Sequence, residues 1–151
     1  MFSYLLKLSG NHTVSEDLFQ ECLLKVWNNI GRYKHENKFA SWLFAIAHNI
    51  AVDHLRKIKY SQKIFADYQN PEAVQSAIDH HDIIESEDVM SIIEKEVNRL
   101  PEKQKEVFLL RYYNDLAFKE ISEITNQPLN TVLSHMHYAM TRLKNALREK
   151  R

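Results

Sequence analysis

Phe39–Lys57 reads FASWLFAIAHNIAVDHLRK. Its first half is crowded with aromatic and aliphatic residues. Its second half ends in Asp53, His54, Arg56 and Lys57, and the stretch holds no Gly, no Pro and a single acid. Phe39, Trp42, Leu43, Ile46, Ala47 and Ile50 recur at steps of three and one, which keeps them on one face of a helix. The pattern predicts a helix with buried early turns and a polar, basic end in solvent. Upstream, GRYKHENK (31–38) is polar and contains a Gly, so a loop is expected there. Before that loop, Leu18, Cys22 and Val26, with Phe19, Leu23 and Ile30, repeat at helical spacing and predict a helix over Ser15–Ile30. Ser15 is its expected N-cap, with Glu16 and Asp17 favourable at the positive helix end. Trp27 and Trp42, at their helical spacing, are expected in the core.

Two Gly and three Pro in 151 residues leave few turns, which favours an all-α chain with short links. Hydrophobic residues at 44% against 26% charged supply enough apolar surface to fold. The one cysteine, Cys22, has no partner for an internal disulfide, and a reducing, cytoplasmic location is expected. No apolar run approaches the roughly 18–20 residues of a bilayer span, and MFSYLLKLSGNHTVSED lacks the basic start and unbroken apolar block of a signal peptide. No membrane insertion is therefore expected.

A net charge of zero argues at first against nucleic acid, but its distribution does not. Nine Lys/Arg against five Asp/Glu leave +4 over residues 1–65, two against nine leave −7 over 66–99, and nine against six leave +3 over 100–151. Two basic ends flank an acidic middle containing Pro71. The expected organisation is two small helical domains, residues 1–60 and 91–151, joined by an acidic linker over 61–90. In the C-terminal block, Pro101 opens a helix. AFKEISEIT and LNTVLSHMHYAMTRLKNALREK follow, separated by NQP. Asn126 can end the first helix in the left-handed region, and Pro128 can begin the second. This is the outline of a helix-turn-helix, with Ile121, Ile124 and Val132 closing its small core.

SEDLFQECLLKVW followed by KFASWLFAIAHNIAVDHLRK resembles region 2 of the extracytoplasmic-function sigma factors. LPEKQKEVFLLRYYNDLAFKEISEITNQPLNTVLSHMHYAMTRLKNAL resembles their region 4. The resemblance covers nearly the whole chain, and the two motifs in this order are far more specific than either alone. It implies a subunit that binds core RNA polymerase at the β′ clamp helices and the β flap and directs it to promoter DNA. It also implies an anti-sigma factor as a further partner, and no catalysis, cofactor or metal. The family's region 2 melts the −10 element, and its region 4 docks at the −35 element.

Carried onto this sequence, the resemblance assigns polymerase contact to Asp17, Gln20 and Glu21, which share a polar helix face. It assigns the −10 element to Tyr33, Asn37 and Lys38 in the loop and to Asn49, Asp53, His54, Arg56 and Lys57 on the following helix. A base flipped out of the stack would be held by that loop. Thr131, Ser134, His135, His137, Tyr138 and Arg142 are the candidates for the −35 element. The sequence departs from the family in places. Ala117 replaces the usual Ser or Thr cap, leaving Asp115 as the expected substitute. Ser122 stands where Ala is usual, and Asn126 replaces a Gly. Leu133, His135 and Tyr138 stand where relatives often carry Arg, which lowers the positive charge of the recognition helix.

Two other classes compete. A helix-turn-helix regulator that does not bind polymerase would need neither the Asp17/Gln20/Glu21 surface nor the 42–57 block. A small helical enzyme would need a clustered nucleophile, base or metal set. His80–His81 and His135-x-His137 lack further ligands at useful spacing, and Glu85 and Asp88 fall in the acidic connector.

Overall fold

The computed structural model describes residues 1–34, 38–68 and 89–149, the side chains of 65–68 apart. The described residues form helices and no strand. Their order is α1 (Phe2–Ser9), α2 (His12–Asn29), a 3-10 turn (Ile30–Arg32), α3 (Phe39–Tyr68), α4 (Val89–Asn98), α5 (Glu102–Tyr112), α6 (Phe118–Thr125) and α7 (Leu129–Glu149). The chain divides into two compact units. One comprises Met1–Lys34 with Ile46–His81, the other His35–Ala45 with Asp82–Arg151.

In the first unit α1 packs on α2. Gly10 ends α1 at φ 70°, a left-handed conformation in which its N–H bonds back to the Leu6 carbonyl. The cap of α2 is Asn11, not Ser15. The Asn11 side chain accepts from the Val14 N–H at 3.0 Å, so the cap lies four residues earlier than the Ser-Glu-Asp pattern suggests. Ser15 instead lies buried one turn inside, its hydroxyl donating to the Asn11 carbonyl at 2.6 Å. Tyr4, Leu5, Leu8, Leu18, Cys22, Ala47, Ile50 and Ala51 form the apolar core. His48 is also buried, and Tyr4 Oη lies 3.0 Å from its Nδ1, so a polar pair sits inside this core and satisfies itself there.

The buried seam of α3 is rotated from its expected position. Phe39 is exposed and Trp42, Leu43 and Ile46 are only half-buried, whereas Phe44, Ala47, His48, Ile50 and Ala51 are buried. Counting large apolar side chains missed a seam made partly of alanines and a hydrogen-bonded histidine. The helix also runs on to Tyr68, past Lys57, because no Gly or Pro interrupts it before Pro71. Residues 61–68 of the expected linker are thus helical and 89–90 open α4, while 69–88, with His80, His81, Glu85 and Asp88, lie outside the described residues.

In the second unit α4, α5 and α6 pack around α7. Val107, Phe108, Leu109, Leu110, Ile121 and Val132 are all but fully buried at its centre. Glu106 is buried among them, and Lys103 reaches both of its carboxylate oxygens at 3.1 and 3.2 Å. Between α5 and α6, Asp115 adopts φ 50° and pairs with Arg111 at 3.2 Å, so it does not cap α6. Glu120 closes that end instead: its carboxylate accepts from the Ala117 N–H at 2.7 Å. Three residues join α6 to α7. Asn126 ends α6 at φ 53°, as its tolerance of the left-handed region predicts, and the Pro128 carbonyl accepts the first bonds of α7 from Thr131 and Val132.

Burial, then the nearby Glu21 carboxylate, pushes the Cys22 thiol up to about 11. At pH 8 the native chain should react with a chromogenic disulfide reagent at least about a hundredfold more slowly than the chain unfolded in denaturant. Stopped-flow absorbance checks this, and equal rates would show that the α1–α2 core is open.

Candidate functional site

Three exposed helix faces carry the residues singled out in the sequence. On α2, Asp17, Gln20 and Glu21 all reach solvent. Glu21 pairs with Lys25 at 3.1 Å. Beyond them the same helix presents Leu24, 65% exposed, and Trp27, 79% exposed. Trp27 is therefore surface, contrary to the expectation of a core residue. The signal was present in the sequence. Leu18 and Trp27 are nine residues apart, about two and a half turns, and so cannot share a face. An acidic strip running into exposed leucine and tryptophan combines the polar and aromatic residues that a protein-contact surface uses.

The exposed face of α3 holds Asn49, Asp53, Arg56 and Lys57 at helical spacing. Tyr60, exposed one turn further on, extends it with an aromatic ring that the sequence reading did not single out. Asp53 pairs with Arg56 at 3.3 Å, so one of the two strongest cations of this face has a local counter-charge. His54 differs from its expected outward position. It is half-buried, and its Nε2 is shielded from solvent with no hydrogen-bond partner among the described residues. Lys38 is exposed and Tyr33 half-buried, while Asn37 lies outside the described residues.

On α7, Ser134, His137, Tyr138 and Arg142 are exposed, whereas Thr131 and His135 are half-buried. The His137 and Tyr138 rings meet edge to face, 5.9 Å apart. Arg142 is not idle. Its Nε lies 3.7 Å from Glu96 on α4, and Arg99 holds the other Glu96 oxygen at 2.7 Å. Glu96 is only 15% exposed, so this carboxylate is shared between two guanidinium groups in a partly shielded place. Among the described residues, no three His, Cys, Asp or Glu side chains converge as metal ligands would, and no helix is long and apolar enough to cross a membrane.

The two ends of the chain match separate families. Residues 1–60 match Sigma-70 region 2, and residues 90–143 match Sigma-70, region 4. The sigma factor SigM of Bacillus subtilis is 31% identical over 149 residues, covering 95% of this chain and 86% of its own. SigW of the same organism, an extracytoplasmic-function sigma factor, is 29% identical over 150 residues, covering 95% of this chain and 80% of its own. Among solved structures, the sigma factor RpoE of Bartonella quintana, crystallised with the anti-sigma factor NepR, is 25% identical. It superposes with a TM-score of 0.75 over 99% of this chain and 91% of that one. The protein belongs to the extracytoplasmic-function RNA polymerase sigma factors. A helix-turn-helix regulator unrelated to polymerase is thereby set aside.

Within the second unit, the Glu120 carboxylate accepts from the Ser41 hydroxyl as well as from the Ala117 N–H. These two bonds, the Ser41 bond first, hold its pKa below the ordinary 4.5. A carboxylate lowered on folding contributes stability above its unfolded pKa, and that contribution fades as pH falls through the lower folded value. Glu120→Gln should therefore be less stable than the parent at pH 6. The gap should narrow steadily below about pH 4, as read from urea midpoints across pH. A gap that stayed constant down to pH 3 would remove the carboxylate from this role.

Proposed function

We propose that α2 is the principal contact with core RNA polymerase, and that the exposed faces of α3 and α7 meet the −10 and −35 promoter elements. The observation that carries this reading is the α2 strip, in which Asp17, Gln20 and Glu21 continue into the exposed Leu24 and Trp27. A solvated face gains nothing from an exposed tryptophan, whereas a protein partner does. The acidic part fits the β′ clamp helices that the family's region 2 grips, and the β flap is the expected second contact, through region 4. Arg56, Lys57 and the exposed Lys59 and Lys63 give α3 the cations to neutralise phosphates, with Tyr60 available to stack on an unpaired base. The loop around Tyr33 and Lys38 would hold the flipped −10 base. Helices α6 and α7 act as the helix-turn-helix, with α7 in the major groove.

Such a subunit recognises and melts promoters without a catalytic step of its own, and it works in the cytoplasm beside polymerase. The relative captured with an anti-sigma factor supports an inhibitor of the same kind as a further partner. The direct test is run-off transcription by core polymerase with and without this chain, using promoter-length templates.

Two outcomes follow for individual residues. Trp27→Ala should weaken core binding about thirtyfold, the cost of losing an interface anchor. Joint reversal of Asp17 and Glu21 should weaken it as well, while circular dichroism and melting stay within the small range of surface changes. Unchanged co-elution of both variants with core polymerase would displace the interface from α2. In the second unit, Glu96→Gln removes the counter-charge of Arg142. Promoter binding should then tighten, and its dependence on log salt should steepen. Arg142→Ala should make that slope shallower by about one and weaken all sequences alike. Salt titrations of fluorescent promoter DNA with the holoenzyme measure both.

A further inference from the structure

From Leu129 to Thr141 the helix α7 contains no Lys, Arg, Asp or Glu; its first charge is Arg142. The face it turns to solvent is Asn130, Leu133, Ser134, His137 and Tyr138, at successive helical spacing. The buried face is Val132, Ala139 and Leu143. Guanine is most often read by a bidentate Arg or Lys, and none is available in these turns. Asn130 offers the other bidentate possibility: one amide that donates and accepts in the same plane, which matches the N7 and N6 of adenine. Its side chain has no hydrogen-bond partner among the described residues, so it is free to take a base. The neighbouring amide, Gln127, is not equivalent, because its Nε2 is shielded from solvent in the turn.

Two adjoining side chains narrow the reading. Leu133 is 42% exposed and can offer only apolar contact, which among base edges suits the thymine methyl. It lies three residues beyond Asn130, about 4.5 Å along the helix, comparable to the roughly 3.4 Å between stacked base pairs. The Ser134 hydroxyl donates its proton to the Asn130 carbonyl at 2.9 Å. Only its lone pairs remain for DNA, and they accept from an exocyclic amino group, that of adenine or cytosine.

We infer that Asn130 and Leu133 set the base preference of α7, Asn130 by a bidentate pair with adenine and Leu133 by contact with a thymine methyl at the adjacent step. This rests on α7 being the promoter-reading helix, and the experiment separates the two. Core polymerase reconstituted with the full chain is used to transcribe a promoter library randomised upstream of the −10 element. The selected promoter is then rebuilt with 7-deazaadenine, which lacks N7, or with deoxyuridine, which lacks the methyl, at each upstream position in turn. The parent should lose about tenfold in transcript at one adenine and a smaller factor at an adjoining thymine. Asn130→Ala should show no preference at that adenine and no response to 7-deazaadenine there, with its salt slope unchanged. Leu133→Ala should lose the response to deoxyuridine alone. If the library yields transcripts with no upstream preference, or none at all, the reading of α7 as the promoter-reading helix fails and the inference with it. If upstream preference is found but withstands both Asn130→Ala and 7-deazaadenine, only the assignment to Asn130 is overturned. The base-analogue arm uses the parent protein, so it decides the matter even if a variant folds poorly.

Discussion

Val132 has no exposed surface, and it anchors the buried seam that sets how α7 is rotated about its own axis. With Ala139 and Leu143 it forms the seam that α4, α5 and α6 close upon. A helix of this length can bury only one face in so small a unit, so fixing the seam also fixes which residues face outward. Ala139 contributes by being small, since it lets the neighbouring helices approach closely. Shortening Val132 would open a cavity at the joint that holds α6 and α7 together, and buried truncations of this kind cost about 1–5 kcal/mol according to how far the site collapses. The three-residue turn is held by the same economy of atoms. The Ser122 hydroxyl donates to the Gln127 carbonyl at 2.6 Å and the Gln127 N–H bonds the Ser122 carbonyl at 3.1 Å, satisfying backbone groups that the helix end leaves open.

The first unit also carries polar side chains in its core, Ser15 and His48. Ser15 and Cys22 occupy α2 positions where larger side chains would push α1 away, and both are fully buried. Burying Tyr4 and His48 would cost free energy if either polar atom lacked a partner, and their mutual hydrogen bond offsets that cost. What this core leaves outside is as consequential as what it encloses. With Ser15, Leu18 and Cys22 turned inward, Asp17, Gln20, Glu21, Leu24 and Trp27 must face solvent together.

The zero net charge conceals a surface of short local ion pairs. Glu21 with Lys25, Asp53 with Arg56, and Glu96 with Arg99 and Arg142 each set a cation beside a carboxylate. The two exposed pairs, Glu21 with Lys25 and Asp53 with Arg56, contribute little to stability, at most about 1 kcal/mol each. A cation with a carboxylate neighbour must give up that interaction before it can pair with another anion.

The sequence by itself determined that this is a helical protein with two sigma-type regions. The scarcity of Gly and Pro, the periodicity over 15–30 and 39–57, the Asn-Gln-Pro break and the burial of Ile121, Ile124 and Val132 were all legible, because local propensity and apolar spacing act within a few residues. The start of α2 was misread because Asn11 and Ser15 are both good caps and only geometry shows which one accepts a backbone N–H. The rotation of α3 was decided by tertiary structure. One residue turns a helix by about 100°, so a periodic pattern rich in aromatics fits more than one seam. The choice fell on small alanines and on His48, whose burial is helped by a hydrogen bond that Tyr4 makes to it from another helix. The partner of Arg142 was illegible for the same reason. Glu96 is distant in sequence, and nothing in the local pattern of either helix brings the two charges together. Spacing along one helix can be counted from the sequence; proximity between helices exists only once the core has packed.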